Sequence, residues 1–143
     1  MIDTYQALVG RLTDAIGNSE IANIDLTDVA YENMEYDPSG KDAWLAVDYM
    51  PASIDSLAKD RFDEENGLFQ ISAYVPLNDR TGDIPRGVLR LIQLTDDIQN
   101  IFYNNATATA NGQTVYIQDS TLTPAASSES WMSKIITINY VRN

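Results

Sequence analysis

Apolar residues alternate with polar ones between positions 68 and 78: Phe69, Ile71, Ala73, Val75 and Leu77 share one face, and Gln70, Ser72 and Tyr74 share the other. A two-residue period is that of a strand with one covered side, so this stretch predicts a half-buried strand. The period then lengthens. Ile84, Val88, Leu91, Ile92, Ile98 and Phe102 recur at helical spacing, widened by Leu89, Leu94 and Ile101, which predicts an amphipathic helix reaching Tyr103 that covers the strand. Asp83 is placed to cap that helix, and Pro85 suits its first turn, where a missing backbone donor costs nothing.

The same reading extends along the chain. Ile2, Tyr5, Leu8, Val9, Leu12 and Ile16 form a helical stripe over residues 2–16, with Gly17-Asn18 as its stop. A short strand is expected at 29–31, a turn at Asp37-Pro38-Ser39-Gly40, and a strand at 44–50 ended by Pro51. Residues 52–66 are polar without apolar periodicity and predict a loop. The small residues of 104–112 predict another loop; within it Asn111-Gly112 leads into a strand at 114–118. After a soft loop at 120–130, a closing strand at 131–141 has Met132, Ile136, Ile138 and Tyr140 on one face and Ile135 and Val141 on the other. The expectation is a single domain over 1–143. Its class is α+β: a mainly antiparallel sheet of four to five strands with two main helices packed on one face.

Composition narrows the chemistry. The 143 residues contain neither cysteine nor histidine. This removes disulfides, thiolate metal sites and every nucleophile that relies on a histidine base. A net charge of −12 repels nucleic acid and anionic membranes. The first residues lack the pattern of a signal peptide and no run is long enough to span a membrane, so a soluble protein made in a cytoplasm is expected.

The candidate sites each have a plain reading beside the functional one. Asp63-Glu64-Glu65 and Asp96-Asp97 could offer carboxylates to a divalent ion, but neighbouring residues on a helix diverge and no EF-hand spacing is present. Solvated surface charge is the better account. A carboxylate-only metal site drawing on Asp63, Glu65, Asp79 and Asp83 is a distant alternative. Residues 78–83 match no phosphate-binding pattern, and their two aspartates oppose an anion. Arg86 and Arg90, four apart on the helix, suit either interface anchors or ion pairs within the fold. Trp44 and Trp131 read as half-buried sheet residues, since neither sits in the aromatic and basic alternation of single-strand binders. No nucleophile elbow accompanies the serines and threonines. No catalytic residue, cofactor or metal is expected.

The order Val29-Ala-Tyr-Glu-Asn33, Ala43-Trp-Leu-Ala-Val-Asp-Tyr-Met-Pro51, Gly67-Leu-Phe-Gln-Ile-Ser-Ala-Tyr-Val-Pro76, a helix ending near Phe102, and Ser130-Trp-Met-Ser-Lys-Ile-Ile-Thr-Ile-Asn-Tyr140 resembles the tail terminator proteins of long-tailed bacteriophages. The resemblance implies a virion protein of the head-proximal end of the tail, assembled in the host cytoplasm. It further implies a ring, typically a homo-hexamer, that stops growth of the tail tube and presents a surface to a neck or head-completion protein. DNA would pass through the lumen without specific binding. The chemistry of the exposed segments, rather than the resemblance, points to Arg61, Asp63, Glu64, Glu65, Asp79, Arg80, Asp83, Arg86 and Arg90 as interface residues. The small-residue loops suit segments that order on contact with a partner. Taken without the resemblance, the residues are equally those of a monomeric acidic binding module or assembly adaptor.

Overall fold

In chain order the elements are α1 (Ile2–Gly17), a 3₁₀ turn (Leu26–Asp28), β1 (Val29–Ala30), β2 (Trp44–Leu57), β3 (Phe62–Pro76), β4 (Arg80–Thr81), β5 (Ile84–Pro85), α2 (Arg86–Ile101), β6 (Thr107–Ala110), β7 (Gln113–Leu122), β8 (Ala126–Ser127) and β9 (Trp131–Arg142). The computed structural model describes residues 2–32, 34–57, 62–77, 80–81, 84–128 and 130–142, with backbone alone at 52–57, 62–64, 80–81 and 84–85.

β3 is the axis of the sheet, paired antiparallel with β2 on one edge and β9 on the other. The strand order is β1-β2-β3-β9-β7-β6, with β8 added beside β9, making seven strands; β4 and β5 form a separate two-stranded ribbon. The class is α+β with two helices, but four to five antiparallel strands is too few, and the sheet is mixed because β1 runs parallel to β2. β1 falls within the short strand expected at 29–31; the two added strands, β6 and β8, are four and two residues long, too short for a period to show.

Alternation on β3 sorts the core as expected. Phe69, Ile71, Ala73 and Val75 are buried beside Leu45 and Val47 of β2 and Ile136, Ile138 and Tyr140 of β9. Onto this face α1 packs Leu8, Leu12 and Ile16, and α2 packs Leu91, Leu94, Ile98 and Ile101, with Phe102 against Phe69 at a ring separation of 6.0 Å. Three apolar residues of α2 depart from the expected stripe. Val88, Leu89 and Ile92 point outward at 42%, 56% and 44% exposure.

Several boundaries differ for physical reasons. β2 runs on past Pro51, where the register slips by one residue between Pro51 and Ser53. Proline is tolerated there because the far edge of β2 carries only β1, which pairs no further than Ala46. Residues 53–57 and 62–66 are paired strand rather than loop. Residues 107–110 are not a soft loop either: β6 pairs with β7 around Asn111 and Gly112, at φ 52° and 78°, the left-handed pair that a two-residue hairpin requires. Ala106 and Ala108 are buried, so the small residues are there for close packing. β7 extends to Leu122 and β8 occupies part of the second expected loop. Pro85 lies in β5, just ahead of α2, and Asp83 lies outside the described residues.

α1 ends at Gly17, as expected, but the left-handed residue that closes it is Ser19 rather than the glycine. The amide of Ser19 donates to the Ile16 carbonyl at 3.1 Å and that of Glu20 to the Ala15 carbonyl at 2.9 Å, which is the Schellman pattern, with Ser19 as the left-handed residue at φ 59°. A side chain in that conformation costs about 1 kcal/mol. Ser19→Gly is therefore expected to raise the melting temperature by a few degrees in a thermal scan.

Candidate interaction surfaces and a buried polar node

The expected interface residues do not form one patch. Arg61, Asp79 and Asp83 lie outside the described residues. Asp63 and Glu64 sit on β3 at positions paired with Ser56 and Asp55 of β2, and Arg80 opens β4. Arg86, the first residue of α2, is exposed. Arg90 is turned inward, its Nη2 donating to the Asn23 carbonyl at 3.1 Å and its Nη1 to Gln93 Oε1 at 3.4 Å. Of its two anticipated uses, bonding within the fold is the one seen, although the partner is a carbonyl and not a carboxylate. Burial lowers its pKa, opposed by Asp97.

Glu65 overturns its reading as solvated charge. It is fully buried, because the alternation that places Phe69 inward also places residue 65 inward. Thr4 Oγ1, in the first turn of α1, donates to Glu65 Oε2 at 2.8 Å, Tyr140 donates to Oε1 at 3.1 Å, and Tyr49 donates to the same Oε1. Arg142, its register partner on β9, lies 3.5 Å away, Nε to Oε2. Burial pushes the carboxyl pKa up, but the hydrogen bonds from Tyr49, Thr4 and Tyr140 outweigh it and hold the group below its ordinary value. The two phenols respond in the opposite sense. Burial, then the bond to Glu65, pushes Tyr49 up to about 12; burial, then Tyr49, raises Tyr140 as well. The node ties α1, β2, β3 and β9 together. With all its oxygens engaged inside the chain, Glu65 has no face for a partner.

The node also marks the root of an arm. Among the described residues Glu65 is the last of β3 paired with β9; beyond it Glu64, Asp63 and Phe62 pair with Asp55, Ser56 and Leu57 of β2. Three further pairs at about 3.4 Å per residue carry this two-stranded segment on for about 10 Å.

Two further features were not anticipated. Arg11, on the polar side of α1, donates from Nε and Nη2 to the Ile101 carbonyl at 2.9 and 2.7 Å and from Nη1 to the Thr107 carbonyl at 2.8 Å. Its guanidinium lies over Phe102 and Tyr103, 6.0 and 5.5 Å from the ring centres. A groove of about 450 Å³ runs beside it, lined by Asp14, Asn100 and Thr109 among others. On the sheet face away from the helices, Trp44 stacks on Tyr74 at 4.0 Å and 6° and on Tyr36 at 5.2 Å, and meets Trp131 edge-on at 5.9 Å. All four rings are half-buried, as expected for the two tryptophans. The outward Val88, Leu89 and Ile92 forgo about half of the roughly 1.5–3 kcal/mol that each side chain would gain from full burial.

Among the described residues no group of three or more acidic, histidine or cysteine side chains is placed to hold a metal ion, and no helix is long and apolar enough to cross a membrane.

The family model for the phage tail terminator protein matches residues 5–140, nearly the whole chain. The chain belongs to the phage tail terminator family. A solved structure with 19% identity, a TM-score of 0.72, and coverage of 98% of this chain and 93% of that chain shares the fold. No curated protein matches. Membership of the tail terminator family makes the chain a structural component of a phage tail, and so of the virion, and points away from enzymatic work.

Proposed function

We propose that this terminator subunit assembles as a closed ring, a hexamer in the simplest case, on the head-proximal end of the tail tube, where it stops tube polymerisation and offers a surface to a neck or head-completion protein. The observation that carries the reading is the family match over 5–140. Two features of the chain suit the role. The far end of β2 and β3 is a two-stranded segment in which Asp55, Ser56 and Leu57 pair with Glu64, Asp63 and Phe62; Asp63 and Glu64 on it, with Arg61, Asp79, Arg80, Asp83 and Arg86, are the residues we assign to contacts with neighbouring subunits or the tube. The charge of −12 suits a channel that DNA crosses, because a basic lining would hold phosphates through released counterions and slow passage.

The test is co-assembly. Purified protein added to polymerising tube subunits is expected to leave tubes capped at one end in electron micrographs and to shorten them, while sedimentation of the capped ends yields a ring of about six 15.9 kDa subunits. Tubes that elongate unchanged, with the protein monomeric in their presence, would sink the reading and favour a monomeric adaptor.

A further inference from the structure

The sequence contains two Asn-Gly pairs, Asn66-Gly67 and Asn111-Gly112. Such a pair is open to spontaneous deamidation, because glycine puts no side chain in the way when its own amide nitrogen attacks the asparagine side chain. The fold treats the two pairs differently. Asn66 and Gly67 lie in the middle strand of the sheet, with Gly67 paired to Pro51 of β2 on one side and to Tyr140 of β9 on the other. A strand held from both sides does not bend its backbone toward a side chain. Asn111 and Gly112 form the exposed two-residue turn between β6 and β7, and the ladder closes behind them at Ala110 and Gln113. The Gly112 amide therefore lies beyond the last ladder pair.

The Asn111 side chain is not loose, however. Its Nδ2 donates to Asp3 Oδ1 at 2.9 Å and to Gln6 Oε1 at 2.6 Å, so both of its hydrogens are held by the first turns of α1. This clamp opposes deamidation in two ways. It fixes the carboxamide against α1, whereas attack needs Cγ brought onto the Gly112 nitrogen. It also works against departure, since Nδ2 leaves as ammonia only after gaining a proton, and a carboxylate and an amide oxygen are acceptors that offer none.

We propose that Asn111 is the site at which this chain deamidates, and that the Asp3–Gln6 clamp sets the rate. The Gly112 nitrogen loses its proton to water or hydroxide and attacks Cγ; the N–Cγ bond forms, the Cγ–Nδ2 bond breaks, and Nδ2 takes up a proton and leaves as ammonia. Water then opens the five-membered imide at either carbonyl, giving aspartate or isoaspartate with no change of oxidation state. Either product sets a carboxylate against Asp3 in a chain already at −12, so the clamp turns into repulsion. Isoaspartate also adds a methylene to the main chain of a turn that has room for two residues. Asp3 precedes Thr4, whose hydroxyl serves Glu65, so the modification loosens the start of α1 where that helix meets the buried node.

The purified chain, incubated in mildly alkaline buffer and sampled by peptide-mapping mass spectrometry, tests this beside Asp3→Ala, Gln6→Ala and Asn111→Asp. Deamidation is expected first in the peptide holding Asn111, with Asn66 still intact. It is expected to run about tenfold faster in Asp3→Ala and a few-fold faster in Gln6→Ala, because the bond to a charged acceptor is the stronger. Acceleration confined to Asn111 shows that the variants are folded, and in urea the two Asn-Gly pairs are expected to react at similar rates. Asn111→Asp reads the consequence: hydrogen exchange at residues 3–6 is expected to quicken while the amides of β3 keep their protection. Conversion of Asn66, or of any other asparagine, ahead of Asn111 overturns the site. An unchanged rate at Asn111 in both clamp variants overturns the clamp, and a slower one overturns it in favour of a carboxylate that promotes the attack.

Discussion

Glu65→Ala is expected to destabilise the fold by about 3–5 kcal/mol, the largest single effect foreseen for this chain. The substitution removes a buried acceptor from three hydroxyls at once, Thr4, Tyr49 and Tyr140, and leaves the Arg142 guanidinium facing the space where its counter-charge had been. Each stranded buried donor costs about 1–3 kcal/mol, and breaking a buried ion pair by deleting one member falls in the range given. Glu65→Gln keeps the shape and one acceptor oxygen for the two phenols, so its cost is expected near 1–2 kcal/mol. Urea unfolding of the three proteins at neutral pH measures both differences. Equal stability of all three would show that the node is solvated in solution.

The pH profile separates charge from shape. The Glu65 carboxyl is held below its ordinary value of 4.5 in the fold, so in acid the unfolded chain takes up that proton first. Its contribution is complete above about pH 4.5 and is lost as pH falls through the folded value. The gap between wild type and Glu65→Gln is therefore expected to be constant near neutrality and to close in acid. Tyr49 runs the other way: with its pKa raised from 10.0 to about 12, its contribution is present below pH 10 and lost as pH rises toward 12. Tyr49→Phe should flatten that alkaline limb and also shrink the acid one, because the Tyr49 hydroxyl is the first of the donors that hold Glu65 low.

Why Glu65 escaped a reading of the sequence is instructive. It stands third in an acidic run whose obvious meaning is solvation, and what reverses that meaning is register: the alternation of Phe69, Ile71 and Val75, continued back through Gly67, carries position 65 to the covered side. Extending a strand backward through Asn66, Glu64 and Asp63 has no support in hydropathy, because the residues there are polar or charged in succession. The β3 and β9 cores, by contrast, were legible, since a buried face against a wetter one imposes a two-residue period on the chain itself. α1 was legible for the equivalent helical reason.

The helix α2 shows the limit of that logic. Its apolar residues span an arc wider than one face, and periodicity does not tell which part of a wide arc meets the sheet. Leu91, Leu94 and Ile98 do; Val88, Leu89 and Ile92 do not. The excess is invisible as excess until the sheet is placed. β6 failed differently: alanine and threonine carry little hydropathy contrast, so the close packing of Ala106 and Ala108 leaves no trace in the pattern. Deleting 107–111 now removes a strand and its turn, and is expected to unfold the chain rather than to report on a contact.

Arg11→Ala is expected to cost about 2–3 kcal/mol, with the damage concentrated at the C-terminal end of α2. Ile101 is the last residue of that helix, and its carbonyl is among those a helix leaves without an internal partner. Two guanidinium nitrogens supply the missing donors, and a cation there also meets the negative end of the macrodipole. The third nitrogen holds Thr107 at the start of β6, so one side chain of α1 joins a helix end to an edge strand. Hydrogen bonds from a charged group contribute about 1.5–3 kcal/mol. Lysine cannot reproduce the fork or lie flat on Tyr103 and Phe102, so Arg11→Lys should lose about half of the total. Hydrogen exchange distinguishes this from general weakening: in Arg11→Ala the amides of residues 98–108 should exchange faster while those of β3 keep their protection. Uniform loss across the sheet would mean that Arg11 acts through packing on the core, and that the carbonyl bonds are incidental.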